Sequence, residues 1–183
     1  MKAAFKSACA ELSLLSDLFD WPDVDAACRM IAQADKIVAY GCGREGLQMQ
    51  GFAMRLHHLG CKVAMQGDMT TPPLGPGDLF ITTAGPGALS TVTALMQTAH
   101  DAGAEILFLT AQPDTPAAAL ASRTLRVPAQ TMANDTTEPT STLPMGSLYE
   151  GAMFVLFEVM VLRLIDLLGE TPASIRARHT NME

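Results

Sequence analysis

The sequence predicts an α/β fold, a three-layer α/β/α sandwich of the flavodoxin-like type around a five-stranded parallel sheet. Short β-branched, apolar runs alternate with helical stretches, and no two-residue hairpin turn joins one run to the next. Parallel strands need long crossover connections, and helices on both faces of the sheet make such strands apolar almost throughout. The 183 residues suffice for one hydrophobic core, so we predict a single domain over residues 1–183.

Two helices precede the first strand, and the second opens near Pro22, because proline suits the first turn of a helix. The first strand ends in the glycine-rich run 41–46, GCGREG, and Gly60 closes the helix that follows. The predicted helices cover residues 2–19, 23–34, the stretch from this run to 59, 88–102, 116–121 and 146–168. The predicted strands cover residues 36–40, 61–66, 78–83, 105–110 and 124–128. The chain thus divides into leading helices (1–35), a parallel core (36–128), a Thr/Pro-rich loop (129–144), a long last helix and a tail (169–183).

Composition and charge exclude several kinds of partner. The formal net charge is −7, from 19 acidic and 12 basic side chains, and lysines and arginines do not cluster. Binding to a phosphate backbone needs a concentrated basic face, so we predict no nucleic-acid partner. The four cysteines form no CxxC pair and lack a histidine at ligand spacing, which favours reduced thiols, a cytoplasmic protein and no metal site. Lys6, Ser7 and Glu11 interrupt the N-terminal stretch, which therefore does not read as a signal peptide.

The stretch 151–168 is apolar on nearly every face but carries Glu158, Arg163 and Asp166. Three charges argue against a membrane span, so we predict no membrane contact. A helix that is apolar all round is buried on all sides, and in a domain of this size that favours a partner subunit. We therefore expect a homodimer or a homotetramer.

Two glycine loops follow strands. The run 41–46 matches GxGxxG, and Asp68 comes just after the second strand, where a ribose-binding acid would lie. A dinucleotide site normally needs two mononucleotide-binding halves, for which five strands leave no room; the glycines could also serve only a tight turn and close packing. The second loop, 82–91, also leads into a helix. Two helix N-termini would then face one crevice and attract an anion such as phosphate, unless the second loop is an ordinary turn.

Several passages resemble the SIS (sugar isomerase) domain family, and within it the 6-phospho-3-hexuloisomerases. They are the two leading helices, Gly41-Cys42-Gly43-Arg44, the run 52–56 with 58–60, the run 143–150 (LPMGSLYE) and the ending 178–183 (RHTNME). The resemblance covers nearly the whole chain. It implies an isomerase that acts on a small-molecule sugar or sugar phosphate through an enediolate, with no metal and no organic cofactor.

The resemblance also implies site residues. Glu150 matches the glutamate at the entry of the family's catalytic helix and would be the base; otherwise it only complements the helix dipole. His179 matches the terminal RHxxxE pattern and would act as an acid, either in its own subunit or in a neighbour's crevice; otherwise it is solvated and idle. Arg55 would meet an anionic substrate or pair with a carboxylate across an interface. The candidate substrate-binding residues are Gly43, Arg44, Glu45, Arg55, Thr83, Gly85, Gly87, Ser90 and Thr91.

Two positions depart from the family. Sugar-phosphate members commonly carry serine where this chain has Glu45, and a Ser-Gly-Ser-Gly type second loop where it has 84–88, AGPGA. Glu45 adds a negative charge near the expected phosphate, and Pro86 removes a backbone donor. Arg44 could offset that charge, Glu45 could point away along its helix, or it could recognise sugar hydroxyls. The alternative function is a non-catalytic SIS module that binds and senses a sugar derivative.

Overall fold

A computed structural model describes residues 1–135 and 140–182. Five strands form one all-parallel sheet in the order β2-β1-β3-β4-β5. Their bounds are Ile37–Gly41 (β1), Val63–Met65 (β2), Leu79–Thr83 (β3), Glu105–Thr110 (β4) and Arg123–Arg126 (β5). The predicted α/β fold with its five-stranded parallel sheet is therefore confirmed.

In the described part of the chain, six α-helices and one 3-10 helix surround the sheet. The helices are Lys2–Leu15 (α1), Trp21–Gln33 (α2), Gly43–His58 (α3), Ser90–Asp101 (α4), Ser147–Leu168 (α5) and Pro172–Ala177 (α6), and the 3-10 helix is Pro116–Leu120. Buried side chains of α2, α3 and α5 share one core with one face of the sheet, and α4 and the 3-10 helix cover the other face. On the first face Phe52 and Phe157 stack with ring centroids 4.2 Å apart, which joins α3 to α5.

Most helix ends lie within two residues of the prediction, and two larger differences remain. Helix α1 ends at Leu15 rather than at 19, because the Ser16 hydroxyl donates to the Ser13 carbonyl and the chain turns there. Helix α6 lies within the predicted tail, where Thr171 and Ser174 form a capping box. The predicted loop 129–144 includes residues 136–139, which lie outside the described residues, as does Glu183 of the predicted tail.

Helix α5 is buried along one side and apolar along the other. Its exposed apolar side chains are Phe154, Val155, Val159 and Leu162. Within the described residues, no helix is both long enough and apolar enough to span a bilayer.

The strand order determines where a ligand can enter. After β1 the chain passes through α3 to the edge strand β2, and after β3 it passes through α4 on the opposite face to β4. The connections that leave β1 and β3 therefore diverge. In open parallel sheets, the crevice that opens at this point is the usual ligand site.

Candidate active site

A crevice of about 350 Å³ lies at the carboxyl ends of β1 and β3. It is bounded by the start of α3, the β3–α4 loop and the start of α5. Its lining residues are Cys42, Gly43, Arg44, Glu45, Pro86, Leu89, Thr131, Met132, Met145, Gly146, Tyr149 and Glu150. The charged members are one arginine and two glutamates, so the crevice itself has an excess of negative charge.

The first glycine loop brings α3 against the end of β1. A Cβ atom on Gly46 would lie 2.5 Å from the Gly41 carbonyl oxygen, so only glycine permits this approach. Gly43 adopts a φ of +56° and lines the crevice. The close packing thus accounts for the outer glycines of the GxGxxG run. Asp68 is exposed beyond β2 and does not line the crevice.

Arg44 joins the first turn of α3 to the start of α5. Its guanidinium donates to the Ser147 hydroxyl at 2.9 Å and to the Met145 carbonyl at 2.5 Å. Its Nε lies 3.2 Å from the Glu150 carboxylate. Met145 holds a φ of +56°, an uncommon conformation for a residue with a side chain. Arg44 therefore both holds this strained segment and provides the positive charge beside Glu150.

Glu150 lies in the first turn of α5 with its carboxylate in the crevice. Burial raises the pKa of this carboxyl above 4.5, the nearby Arg44 partly opposes that shift, and Glu45 adds to it. A carboxylate whose pKa is moved toward neutral pH is a stronger base when ionised.

Glu45 points into the crevice rather than along its helix to solvent. Its carboxylate accepts the Gly85 N–H at 3.1 and 3.0 Å and the Thr83 hydroxyl at 2.7 Å. Desolvation raises the pKa of this carboxyl, and the two donors oppose that shift. This geometry agrees with the alternative in which the negative charge of Glu45 lies at the second glycine loop, and not with the one in which Glu45 points away along its helix.

The Thr83 hydroxyl that donates to Glu45 also belongs to a pair of buried hydroxyl groups. The Thr83 hydroxyl lies 3.0 Å from the Tyr149 hydroxyl. Because Thr83 gives its single proton to Glu45, the Tyr149 hydroxyl is the donor in this pair. Burial and the Glu45 charge together raise the pKa of Tyr149 well above its usual value, so it stays protonated. The hydrogen bonds therefore run from Tyr149 through Thr83 to Glu45.

The residues of the second glycine loop do not all lie at the crevice. A Cβ atom on Gly85 would lie 3.0 to 3.1 Å from Glu45, Thr131 and Tyr149, so this position is closely packed. Gly87 instead packs against Gln112 and Thr115 with a φ of +94°. Ser90 and Thr91 are exposed in the first turn of α4 and do not line the crevice.

Arg55 and His179 lie at the other end of α3. The 16 residues of this helix separate its two ends by about 24 Å. Arg55 pairs with Glu158 of α5 at 3.1 Å, so its carboxylate partner belongs to the same chain. The His179 ring stacks on His58 with centroids 5.2 Å apart. Neither residue lines the crevice of its own chain, and their roles in the site stay predictions.

The C-terminal segment that carries His179 is held by Arg178. Its guanidinium pairs with Glu170 at 2.7 and 2.9 Å and donates to the His58 carbonyl at 2.9 Å. This contact fixes the segment against the end of α3.

Sequence reasoning missed much of the crevice wall. The residues not singled out are Cys42, Pro86 as a wall residue, Leu89, Thr131, Met132, Met145, Gly146 and Tyr149. Met145, Gly146 and Tyr149 belong to the LPMGSLYE run that also contains Glu150, so their position beside Glu150 in the sequence is the signal that marks them. Thr131 and Met132 lie in a loop without a periodic pattern, and nothing in the sequence marked them.

A parallel α/β sheet with a crevice at its switch point, lined by apolar side chains and a few charged ones, is typical of small-molecule-binding domains. The model of the SIS domain matches residues 30–163, and the chain belongs to this family. The 3-hexulose-6-phosphate isomerase of Mycobacterium gastri is 36% identical over 164 residues, which are 90% of this chain and 82% of that protein. The enzyme of the same name from Methylomonas aminofaciens is 33% identical over 159 residues, which are 87% of each chain.

A solved structure shares the fold. The protein MJ1247 from Methanococcus jannaschii, whose structure was taken to infer a 3-hexulose-6-phosphate isomerase function, superposes with a TM-score of 0.84. The match covers 98% of both chains at 23% sequence identity. At that identity the likeness supports the fold and not the activity.

Proposed function

We propose that this protein is a sugar-phosphate isomerase that moves a carbonyl between adjacent carbons of a hexulose 6-phosphate. The observation that carries the proposal is the Glu150 carboxylate in the switch-point crevice, with a raised pKa and an arginine 3.2 Å away. Two relatives above 30% identity carry the name 3-hexulose-6-phosphate isomerase, which supports the same class of substrate.

The reaction needs a base that removes a proton from the carbon next to the carbonyl and returns it to the carbonyl carbon. Removal of the proton gives an enediolate, in which the two carbons are equivalent in bonding. Glu150 would accept the proton as a carboxylate and give it back as a carboxylic acid. Glu150 thus completes the transfer between the two carbons, while the proton of the neighbouring hydroxyl passes to the former carbonyl oxygen, so no electrons leave the sugar.

Arg44 would support both halves of this step. Its positive charge opposes the rise in the pKa of Glu150 that burial causes. Its fixed fork, bonded to Ser147 and Met145, keeps the base at one place on the crevice wall. An enediolate that forms beside it would gain a nearby cation for its developing negative charge.

A non-catalytic sensing module is the less favoured alternative. A sensor needs a crevice but no base, whereas Glu150 combines a crevice position with a raised pKa. The relatives from Mycobacterium gastri and Methylomonas aminofaciens are both named as isomerases.

We also propose a cytoplasmic homo-oligomer with a site shared between subunits. The exposed apolar row Phe154, Val155, Val159 and Leu162 on α5 supports an interface with a second copy. His179 lies about one helix length from the crevice of its own chain, which supports action in a partner's crevice. The four unpaired cysteines support a reducing compartment.

The variant Glu150→Gln tests the proposal. It keeps the shape of the side chain but cannot accept the proton, so we expect fructose 6-phosphate to bind while isomerisation falls about a hundredfold or more. The matched control Glu158→Gln changes a carboxylate on the same helix beside Arg55 and should keep full turnover. Turnover of Glu150→Gln at the wild-type rate would remove Glu150 as the base.

A further inference from the structure

The Glu45 carboxylate is held as a bound anion would be held. One backbone N–H, from Gly85, and one hydroxyl, from Thr83, point at its two oxygens. Both donors lie at or just after the carboxyl end of β3, where parallel α/β sheets collect ligand groups. Backbone donors at this position are the kind that otherwise bind phosphate.

The other backbone groups of residues 84–87 offer no free donor beside Glu45, because the Ala84 N–H donates to the Leu109 carbonyl. Pro86 has no N–H, and the Gly87 N–H donates to the Ala84 carbonyl at 2.8 Å inside the loop. Among residues 83–87, the Gly85 N–H and the Thr83 hydroxyl are thus the donors that can meet an anion, and both are directed at Glu45. A substrate anion that uses this loop must compete with Glu45 for them.

No cation neutralises Glu45 among the described residues. Its chain neighbour Arg44 is turned to Glu150, and the ion pairs of the described part of the chain do not include Glu45. The other charged or titratable groups around it are Glu150 and Tyr149 on α5, and neither is positive. A buried carboxylate without a cation costs stability, and this one occupies the donors that the β3–α4 loop would otherwise offer to an anionic ligand.

We propose that Glu45 is a specificity-determining residue: it is a resident anion on the β3–α4 loop, and phosphate reaches these donors only by displacing it. This inference rests on the proposed function and refines the site for its anionic substrate. It follows that dianions bind this crevice more weakly than they would without Glu45. Removal of the carboxylate frees the Gly85 and Thr83 donors and removes a like charge a few ångströms away.

The test measures binding of sulfate by isothermal titration calorimetry. Sulfate is a dianion that does not change protonation near neutral pH, and its binding needs no turnover. We expect Glu45→Ser to bind sulfate about tenfold or more tightly than wild type. Glu158→Ser removes the same charge outside the crevice and should bind sulfate as wild type does.

Equal sulfate affinity in wild type and Glu45→Ser would overturn the inference, and so would an equal gain in Glu158→Ser. Glu45→Gln keeps the shape of the side chain and serves where Glu45→Ser does not fold. The amide oxygen of Glu45→Gln still accepts the Gly85 N–H but carries no charge. We therefore expect its sulfate affinity to lie between that of wild type and that of Glu45→Ser. Because the measurement is of binding, an absence of turnover in the wild type would count against the proposed isomerase and not against this inference.

Discussion

The Glu150 carboxylate lies 3.2 Å from the Nε of Arg44, and this pair joins the starts of α5 and α3 across the mouth of the crevice. Because the same guanidinium also holds Ser147 and Met145, the charge of the proposed base and the shape of the crevice wall depend on one side chain.

Substitution of Arg44 by glutamine should move the pH dependence of turnover. Burial already raises the pKa of Glu150 above 4.5, and loss of the neighbouring cation raises it further. Since the base acts as a carboxylate, activity increases as pH rises through this pKa, and the acid limb should shift upward by about one pH unit. Arg44→Lys keeps a positive charge near Glu150, so its acid limb should shift less than that of Arg44→Gln. An acid limb at the wild-type position in Arg44→Gln would show that the pair does not control the base.

Glu45 should make the protein less stable as pH rises. Its pKa is higher in the folded protein than its ordinary value of 4.5, so the folded state binds more protons in the window above 4.5. The stability associated with this group is therefore present below that window and lost as pH rises through the folded-state pKa. Relative to wild type, Glu45→Gln should gain free energy of unfolding between pH 5 and pH 8.

Urea denaturation across this pH range measures that difference. Glu158→Gln, a change at a half-exposed carboxylate paired with Arg55, should follow the wild-type trend. A constant difference between Glu45→Gln and wild type would contradict the assigned shift.

The Thr83–Tyr149 hydroxyl pair should behave as a unit. Thr83→Val leaves the fully buried Tyr149 hydroxyl without its acceptor, which should cost about 1–3 kcal/mol of unfolding free energy. Tyr149→Phe removes the other partner. The double variant should be more stable than the sum of the two single losses predicts, because no hydroxyl is then stranded. Strict additivity by chemical denaturation would show that the two hydroxyls do not interact.

A shared site predicts complementation between two impaired variants. Glu150→Gln lacks the base and His179→Asn lacks the proposed acid. In a mixed oligomer, one crevice receives an intact Glu150 from one subunit and an intact His179 from the other. We therefore expect the coexpressed mixture to recover turnover that neither variant has alone. A mixture as inactive as its parts would place both roles in one chain or remove His179 from the site.

The order of elements was predictable because each strand is a short apolar run between helices, as in Glu105–Thr110. The position of Glu150 at the start of α5 also followed from the sequence. The end of α1 did not, because the Ser16 hydrogen bond to Ser13 competes with continued apolar periodicity. Such local side-chain contacts shift helix ends without a change in pattern.

The direction of Glu45 could not be predicted from its spacing. It depends on how closely Gly46 lets α3 approach β1 and on the position of Gly85, some 40 residues along the chain. The position of His179 could not be predicted either. The ion pair between Arg178 and Glu170 holds this segment at the far end of α3. Both are consequences of tertiary packing and not of local pattern.

The most direct test of the account is proton transfer followed by NMR in D₂O with fructose 6-phosphate. We expect wild type to interconvert the 2-keto and 3-keto hexulose phosphates and to introduce deuterium at a carbon next to the carbonyl. Glu150→Gln should bind the sugar phosphate and do neither. Absence of both conversion and exchange in wild type, or wild-type exchange in Glu150→Gln, would contradict the claim that Glu150 performs the proton transfer in this crevice.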